Sequence, residues 1–406
     1  MDVLDVGWGN AVQEIVLHAL VAYASNRTFV WDDYLWSRRP DPYAIYNDRL
    51  IPAHIPLSVI LGGSLMGELQ GEKTFKAVPR PYFEKICPSL GGVEYINVDD
   101  LNAPLRHDEN VGALEILQTW MDKLDSTDAA CVSNAGSPYQ MWEMWIFGSR
   151  RIWDLWPMLL ESPIISGYSS SPLILLGLEA NKDLLGVARL PALAHLPAPI
   201  SFSAGSNPDI SQSSLKILRD EQFDVIPGLL VLHIRRGDFE QHCQHLATWT
   251  AGWQGMNDLA ADGLPDTLEP REPLPGNLTD YNSALYGRRC YPEIPQIVRR
   301  VEEIRREYPK LGRVYVMTNG KREWILKLQG ALFEDSERHP SGPWQDVTSS
   351  RDLSLDWEQK YVAQAVDMAI GTRADVLLGN GWSSLTSHLT MLRMGKGFPR
   401  ESNRFW

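Results

Sequence analysis

The sequence predicts an α/β fold of two domains built on parallel sheets. Three observations carry that expectation. The first thirty residues read strand, glycine turn, helix, strand. The second half repeats the same grammar. The run Leu229–Ile234 is apolar without alternation, as in a strand covered on both faces. At 406 residues the chain is long enough for two cores. A stretch rich in Pro, Ser, Gly and Asn at 197–212 reads as the linker, so domains are expected at 1–205 and 206–406.

The elements follow in order. Val3–Val6 is the first expected strand and Gly7-Trp8-Gly9-Asn10 the turn after it. Over 11–25, Val12, Ile15, Val16, Ala19, Ala22 and Tyr23 fall on one helical face. Asn26 stops that helix, and Thr28–Trp31 is the next strand. Residues 40–110 are rich in Pro and Gly, and Gly62-Gly63-Ser64 with Gly67 suggests a mobile loop. Helices are expected over 111–125 and through the Trp-rich block 139–160, most of whose tryptophans read as core or interdomain filler. Further on, 250–285 is loop-like, 293–308 a charged amphipathic helix, 313–317 a strand and 321–329 a helix. A helix over 357–370, a strand at 376–378, a Gly/Ser turn at 379–384 and a helix over 385–394 complete the pattern.

Composition excludes several classes. A hydrophobic fraction of 44% and a charged fraction of 22% are globular, not disordered, collagenous or coiled-coil. Net charge is −13, and the densest basic cluster, Arg299–Arg300 with Arg305–Arg306, alternates with Glu302, Glu303 and Glu307. That reads as a solvated helix face and argues against a nucleic-acid partner. An anionic ligand of so acidic a chain must be held by local Arg and backbone N–H groups. No run approaches the roughly 18 apolar residues of a membrane span, and no signal-peptide pattern opens the chain. The four cysteines, Cys87, Cys131, Cys243 and Cys290, show no metal-ligand spacing. Their number permits two bridges without requiring them. Sequons occur at Asn26 and Asn277.

Three turns at the carboxyl ends of expected parallel strands are where such sheets bind ligands. At Gly7-Trp8-Gly9-Asn10, glycines allow close backbone approach and the next helix presents N–H groups. In His233-Ile234-Arg235-Arg236-Gly237-Asp238, two guanidiniums leave a buried strand, which is costly unless they meet anions. Alternation sends them to opposite sides, so one is expected to face the ligand cleft and the other to pair with Asp238 or another carboxylate; the pattern reads either as an Arg clamp on a diphosphate or as a structural Arg–Asp bridge. Gly379-Asn380-Gly381-Trp382-Ser383-Ser384 offers hydroxyls and N–H groups to phosphate, and Leu385 excludes the G-x-S-x-G elbow. Thr318-Asn319-Gly320 is a fourth turn after a strand. Asp32 and Asp33 point to opposite faces of an extended chain, which weighs against a metal pair. No metal site and no cofactor is expected.

At these residues the sequence resembles the GDP-fucose-dependent superfamily of protein O-fucosyltransferases and α1,2/α1,6-fucosyltransferases, and within it a fungal O-fucosyltransferase-like branch. The likeness covers nearly the whole chain. Gly7–Asn10 is similar to the family's N-terminal motif, His233–Asp238 to its H-x-R-R motif, Thr318-Asn319 to its Thr-Asp turn, and Asp367–Arg393 with Gly379 and Ser383-Ser384 to its final motif. The resemblance implies a GT-B-like pair of Rossmann-like domains facing across a cleft, the first on the acceptor side and the second binding the donor. It implies inverting transfer of fucose from GDP-fucose to a protein, glycan or small-molecule hydroxyl, without a metal, in the secretory pathway. By the same resemblance Arg235 grips the β-phosphate, with Arg236, Gly9 and Asn10 also at the donor. His233 and Asn319 lie near guanine, and Ser383 and Ser384 donate to phosphate. The sequence departs from the family pattern at Asn319, which replaces an acid, and at Val6, where one branch has a catalytic Glu. The base is therefore open among Asp5, Asp33 and Asp238. Two other readings stand beside this one: a binding homologue that no longer transfers sugar, and the same cradle reused for another nucleotide sugar or a prenyl diphosphate.

Overall fold

The computed structural model describes residues 7–37, 41–46, 49–68, 75–106, 110–135, 140–190, 211–237, 239–268 and 279–406. The expected strand Val3–Val6, most of the 197–212 linker, Asp5, Asp238 and Asn277 lie outside them. The chain divides into Met1–Leu173 and Ile174–Trp406. The division falls before the expected 205/206 boundary, because the segment after Leu173 packs on the second unit. Asn181 Nδ2 donates to Ser354 O at 2.9 Å, and buried Lys182 pairs with Glu179 and Glu221 at 2.7 and 2.9 Å.

The N-terminal unit opens with helix Trp8–Ala24, buried almost throughout. The helix begins earlier than the turn pattern suggests, so only Gly7 of Gly7–Asn10 lies outside it. Asn26 ends it in a left-handed conformation, φ 50°. Two parallel pairs, Phe29–Trp31 with Ala77–Pro79 and Val93–Asn97 with Cys131–Ala135, supply sheet structure. The cysteines at 87 and 131 form a disulfide. The expected mobile loop at Gly62–Gly67 is instead a buried strand, Leu61–Gly63, paired with Tyr168–Ser170 and followed by a 3-10 turn. Glycine is required at Gly63 by its φ of 67° and because a Cβ there would sit 2.1 Å from Gly167 O. The block 139–160 is broken into the short helix Met144–Phe147, a 3-10 turn and Trp156–Glu161.

The C-terminal unit is organised by a five-stranded, wholly parallel sheet. Numbered by chain position, strands 1 to 5 are Ile226–His233, Arg313–Met317, Asp346–Ser349, Ala374–Gly379 and Asn403–Phe405. Their spatial order is 3-2-1-4-5. Leu230, Leu232, Val314, Val316, Val376 and Leu378 pack one face against helices Ile294–Glu307 and Arg322–Ser336. Helices Ala363–Thr372 and Ser384–Gly395 cover the other. That two-sided burial is why these strands read as unbroken apolar runs. The two edge strands were not legible in sequence.

Two expectations change here. The loop-like 250–285 contains helices Gly255–Ala261 and Thr279–Cys290, which with Phe239–Thr248 form a subdomain around Trp253, Tyr286 and Trp382, closed by the Cys243–Cys290 disulfide. The basic cluster on Ile294–Glu307 is only partly solvated. Arg305 is 2% exposed, stacked 3.7 Å from the Trp344 ring centre, and Arg300 pairs with buried Asp266 at 2.5 Å. Alternating charge predicts solvent where packing has recruited the long stems.

Candidate functional site

Strands 1 and 4 are neighbours whose connections leave in opposite directions, so the sheet has its topological switch point between them. Their carboxyl ends carry His233-Ile234-Arg235-Arg236 and Gly379–Ser384. The two turns are joined directly: His233 Nδ1 lies 2.7 Å from Thr386 Oγ1, in the first turn of the helix after strand 4. Gly379 makes the approach possible, since a Cβ there would lie 2.2 Å from Thr386 Cγ2. Trp406 Nε1 donates to His233 O at 3.2 Å. Burial, then the neighbouring Arg235, pushes the His233 imidazole down to about 3, so the ring is neutral.

The adjacent arginines separate as alternation requires. Arg236 is 5% exposed. Its guanidinium lies between the Tyr291 and Trp324 rings, 4.2 and 4.3 Å from their centres, and donates to Pro292 O. Around it stand aromatic rings, a carbonyl and the Tyr291 hydroxyl, with the Glu293 and Glu240 carboxylates near enough to favour its charge, so this side chain is engaged by the protein itself. Arg235 is half-buried, with its guanidinium carbon 5.2 Å from the Phe239 ring centre. Asn319 is tied to the same turn. Arg236 N donates to Asn319 Oδ1 at 2.7 Å, and Asn319 Nδ2 donates to Arg236 O at 3.0 Å. Both ends of the amide therefore face backbone, which explains how an amide stands where an acid was expected. Arg351 in turn donates to Asn319 O and Gly320 O.

The turn after strand 4 is fixed from behind. Asn380 Nδ2 donates to Cys290 O at 2.7 Å, while Asn380 Oδ1 accepts from Trp382 N at 2.9 Å. Ser383 is the N-cap of Ser384–Gly395 and makes no side-chain cap bond. The opening N–H groups of a helix have no intrahelical acceptor, so this end suits an anion. Ser383 is buried and Ser384 half-buried. The segment Cys290–Pro292 touches both turns, accepting from Asn380 and Arg236.

Sequence reasoning passed over one acid as a site group. Asp367, half-buried in Ala363–Thr372, accepts from Tyr315 Oη at 2.5 Å and from Ser350 Oγ at 2.9 Å. Ser350 Oγ also accepts from Thr318 N. Burial raises Asp367 to about 6. Strand register places Tyr315 and Met317 beside Val231 and His233, so Asp367 shares the sheet face of His233. Its sequence signal is its place at the start of the motif segment Asp367–Arg393, which names no role for it.

The remaining candidates belong to the N-terminal unit. Gly9 is buried and Asn10 partly exposed in the first turn of Trp8–Ala24. Trp8 packs edge-on against Tyr34 at 5.1 Å, which brings the segment carrying Asp33 to that helix start. Burial and then Asp32 raise the Asp33 carboxyl. Asp32 pairs with Arg80 at 2.5 Å, so the two acids are committed differently. A cavity of about 1410 Å³ also lies in this unit, lined by consecutive residues Thr28–Val30 and Cys131–Ala135. Neither Asn10 nor Asp33 lines it. Among the described residues no cluster of acids, histidines and cysteines has metal-site geometry, and no helix is long and apolar enough to cross a membrane.

No family model and no curated protein matches the chain. Solved structures of POFUT1 do match it in fold. A complex with GDP aligns at TM-score 0.54 and 14% identity over 99% of this chain and 96% of that one. A second GDP complex aligns at 0.53 and 13%, covering 98% and 95%. A complex with GDP-fucose gives 0.53 and 14% over the same shares. The chain therefore has the mixed α/β, GT-B-like fold of POFUT1 along nearly its whole length.

Proposed function

We propose that the protein is a glycosyltransferase that takes fucose from GDP-fucose and passes it, with inversion and without a metal, to a hydroxyl acceptor. One observation carries the reading: the 2.7 Å bridge from His233 to Thr386 joins the arginine turn to a helix N-terminus at the switch point. The fold shared with POFUT1, which has been solved with GDP and GDP-fucose, supports it.

In this reading Ile174–Trp406 is the donor domain and Met1–Leu173 the acceptor side. Arg235, Ser383, Ser384 and the helix N–H groups receive the diphosphate. Neutral His233, and Asp367 on the same sheet face, meet the base, while Arg236 and Asn319 hold the turn from which Arg235 projects. By the motif resemblance Gly9 and Asn10 are assigned to the donor, and Asp33 to taking the acceptor proton. As the glycosidic bond breaks, negative charge grows on the diphosphate, and donors already aimed at it lower the barrier without reorganising. The two disulfides fit an oxidising compartment, hence the secretory pathway. The fungal branch rests on the sequence motifs alone.

The test is calorimetry of GDP, UDP, GDP-fucose, GDP-mannose and prenyl diphosphates, followed by turnover of GDP-fucose with and without acceptors, in EDTA. Selective GDP binding with fucose release supports the reading. Equal binding of UDP, preference for a prenyl diphosphate, or dependence on added metal overturns it.

A further inference from the structure

The phosphate-facing turn after strand 4 is gripped by a residue far away in sequence. Asn257, on helix Gly255–Ala261, is 0% exposed. Its Nδ2 donates to Gly381 O at 2.9 Å and Ser383 O at 3.2 Å, and lies 3.4 Å from Asn380 O. Its Oδ1 accepts from Thr390 Oγ1 at 3.1 Å, and Thr390 is itself buried on Ser384–Gly395. The carbonyls fix the amide orientation, because the group facing them has to be the donor, and the Thr390 hydroxyl then donates to Oδ1. The same helix start supports the turn twice more: Gln254 N donates to Gly381 O at 2.9 Å, and the Trp253 indole fills the space a Cβ on Gly381 would take.

Only an amide does all of this from one buried position. A carboxylate would face carbonyl oxygens with no donor, and a hydroxyl has a single proton. The geometry also has a direction. Carbonyls drawn toward Asn257 leave the ligand side to the N–H groups of the helix start and the Ser383 and Ser384 hydroxyls, while the N–H groups of Asn380, Trp382 and Ser383 bond within the turn. Each carbonyl also has one backbone donor, Ser383 N on Asn380 O, Gln254 N on Gly381 O and Ser387 N on Ser383 O, so losing Asn257 lets the peptide planes tilt without freeing them.

We propose that Asn257 is a positioning residue for the diphosphate: by holding the carbonyls of Asn380, Gly381 and Ser383 inward, it keeps the turn in its anion-binding state. This rests on the reading that the diphosphate sits on that turn. Asn257 does not touch the ligand, so its signature is selective loss of the phosphate contribution to binding.

The experiment measures dissociation constants of guanosine, GMP and GDP by calorimetry for the wild type, Asn257→Ala and Thr390→Val. The expected result is that the ratio of guanosine to GDP dissociation constants falls on the order of tenfold in Asn257→Ala. Guanosine affinity itself stays unchanged. Thr390→Val, which leaves the amide in place but unlocks it, lowers the ratio in the same direction by less. It serves as the test if Asn257→Ala does not fold. An unchanged ratio in a folded variant overturns the proposal, as does an equal loss for guanosine and GDP, which marks a merely structural residue. A wild type that gains nothing from the phosphates overturns the donor-site reading instead, so the two failures are distinguishable.

Discussion

Replacing each of the adjacent arginines separates a ligand clamp from a structural clamp within one dipeptide. Arg235→Ala removes a half-buried guanidinium from the mouth of strand 1. If it meets the leaving diphosphate, the barrier rises by about 2.7–4 kcal/mol, or two to three decades in kcat. Its guanidinium carbon lies 5.2 Å from the Phe239 ring centre, so a cation–π contact of roughly 0.5–1 kcal/mol is lost with it. Arg236→Ala breaks something different. Two cation–π contacts of roughly 0.5–2 kcal/mol each are lost. So is a charge-assisted bond to Pro292 O worth roughly 1.5–3 kcal/mol. A total of about 4 kcal/mol lowers the melting temperature on the order of 10 °C in a unit of this size. The assay pairs calorimetric GDP binding and fucose turnover with thermal unfolding in the absence of ligand. Arg235→Ala is expected to melt with the wild type and not turn over, while Arg236→Ala melts early. An Arg235→Ala protein that unfolds like Arg236→Ala, or one that binds GDP normally, refutes the assignment of the two roles.

Three further outcomes are expected. Gly379→Ala forces a methyl to within 2.2 Å of Thr386, separating it from His233, and overpacking of this kind costs about 1–3 kcal/mol. GDP affinity in calorimetry should fall with it, and unchanged affinity would show that the His233–Thr386 bridge is dispensable. Changing Cys243 and Cys290 to Ser loosens the segment that accepts from Asn380 and Arg236, so GDP binding should weaken and stability drop by about 2–5 kcal/mol. The same change at Cys87 and Cys131 should lower stability and leave GDP affinity intact. Glu14, 1% exposed, is raised by burial from 4.5 to about 7. Its proton stays on in the folded protein between those values, so its contribution is full below pH 4.5 and lost as pH rises through 7. Glu14→Gln should therefore be more stable than wild type by about 3 kcal/mol at pH 8 and equal to it at pH 4. Equal unfolding free energies at pH 8 would mean the carboxyl is solvated.

The C-terminal sheet was legible because its three central strands are buried on both faces and say so in their composition. Leu229–Ile234, Arg313–Met317 and Val376–Leu378 were placed almost where they lie. The edge strands Asp346–Ser349 and Asn403–Phe405 are short and polar, and their pairing is set by neighbours the sequence does not name. The turns at strands 1 and 4 were legible through their glycines and arginines. Arg236 was not, because a guanidinium on an aromatic pair and one awaiting a phosphate look alike in a string of letters. The stretch 250–285 reads as loop because its helices are held by a disulfide and by tryptophans distant in sequence, not by their own periodicity. Asn257 gave no signal, since a single polar residue inside a helix is uninformative until its partners are known, and Asp367 was legible only as the first residue of a motif resemblance, without a role.

The distribution of the other arginines explains why so much rests on one. Arg393, 0% exposed, donates to Thr372 O, Ala374 O and Asn403 Oδ1, which ties strands 4 and 5 to their helices. Arg404 pairs with Asp266 and Glu307, and Arg305 caps Leu311 O beneath Trp344. Arg236 and Arg351 hold the turns themselves. These guanidiniums face carbonyls and carboxylates of the protein, so they add little field at the switch point. With a net charge of −13 the long-range potential opposes an incoming diphosphate. On the proposed function, attraction then comes from groups in contact, where screening is weak: Arg235 and the start of the helix after strand 4. A site built this way is sensitive to the geometry of its supports, which is why residues that never touch the ligand, such as Gly379 and Asn257, are expected to decide whether it binds.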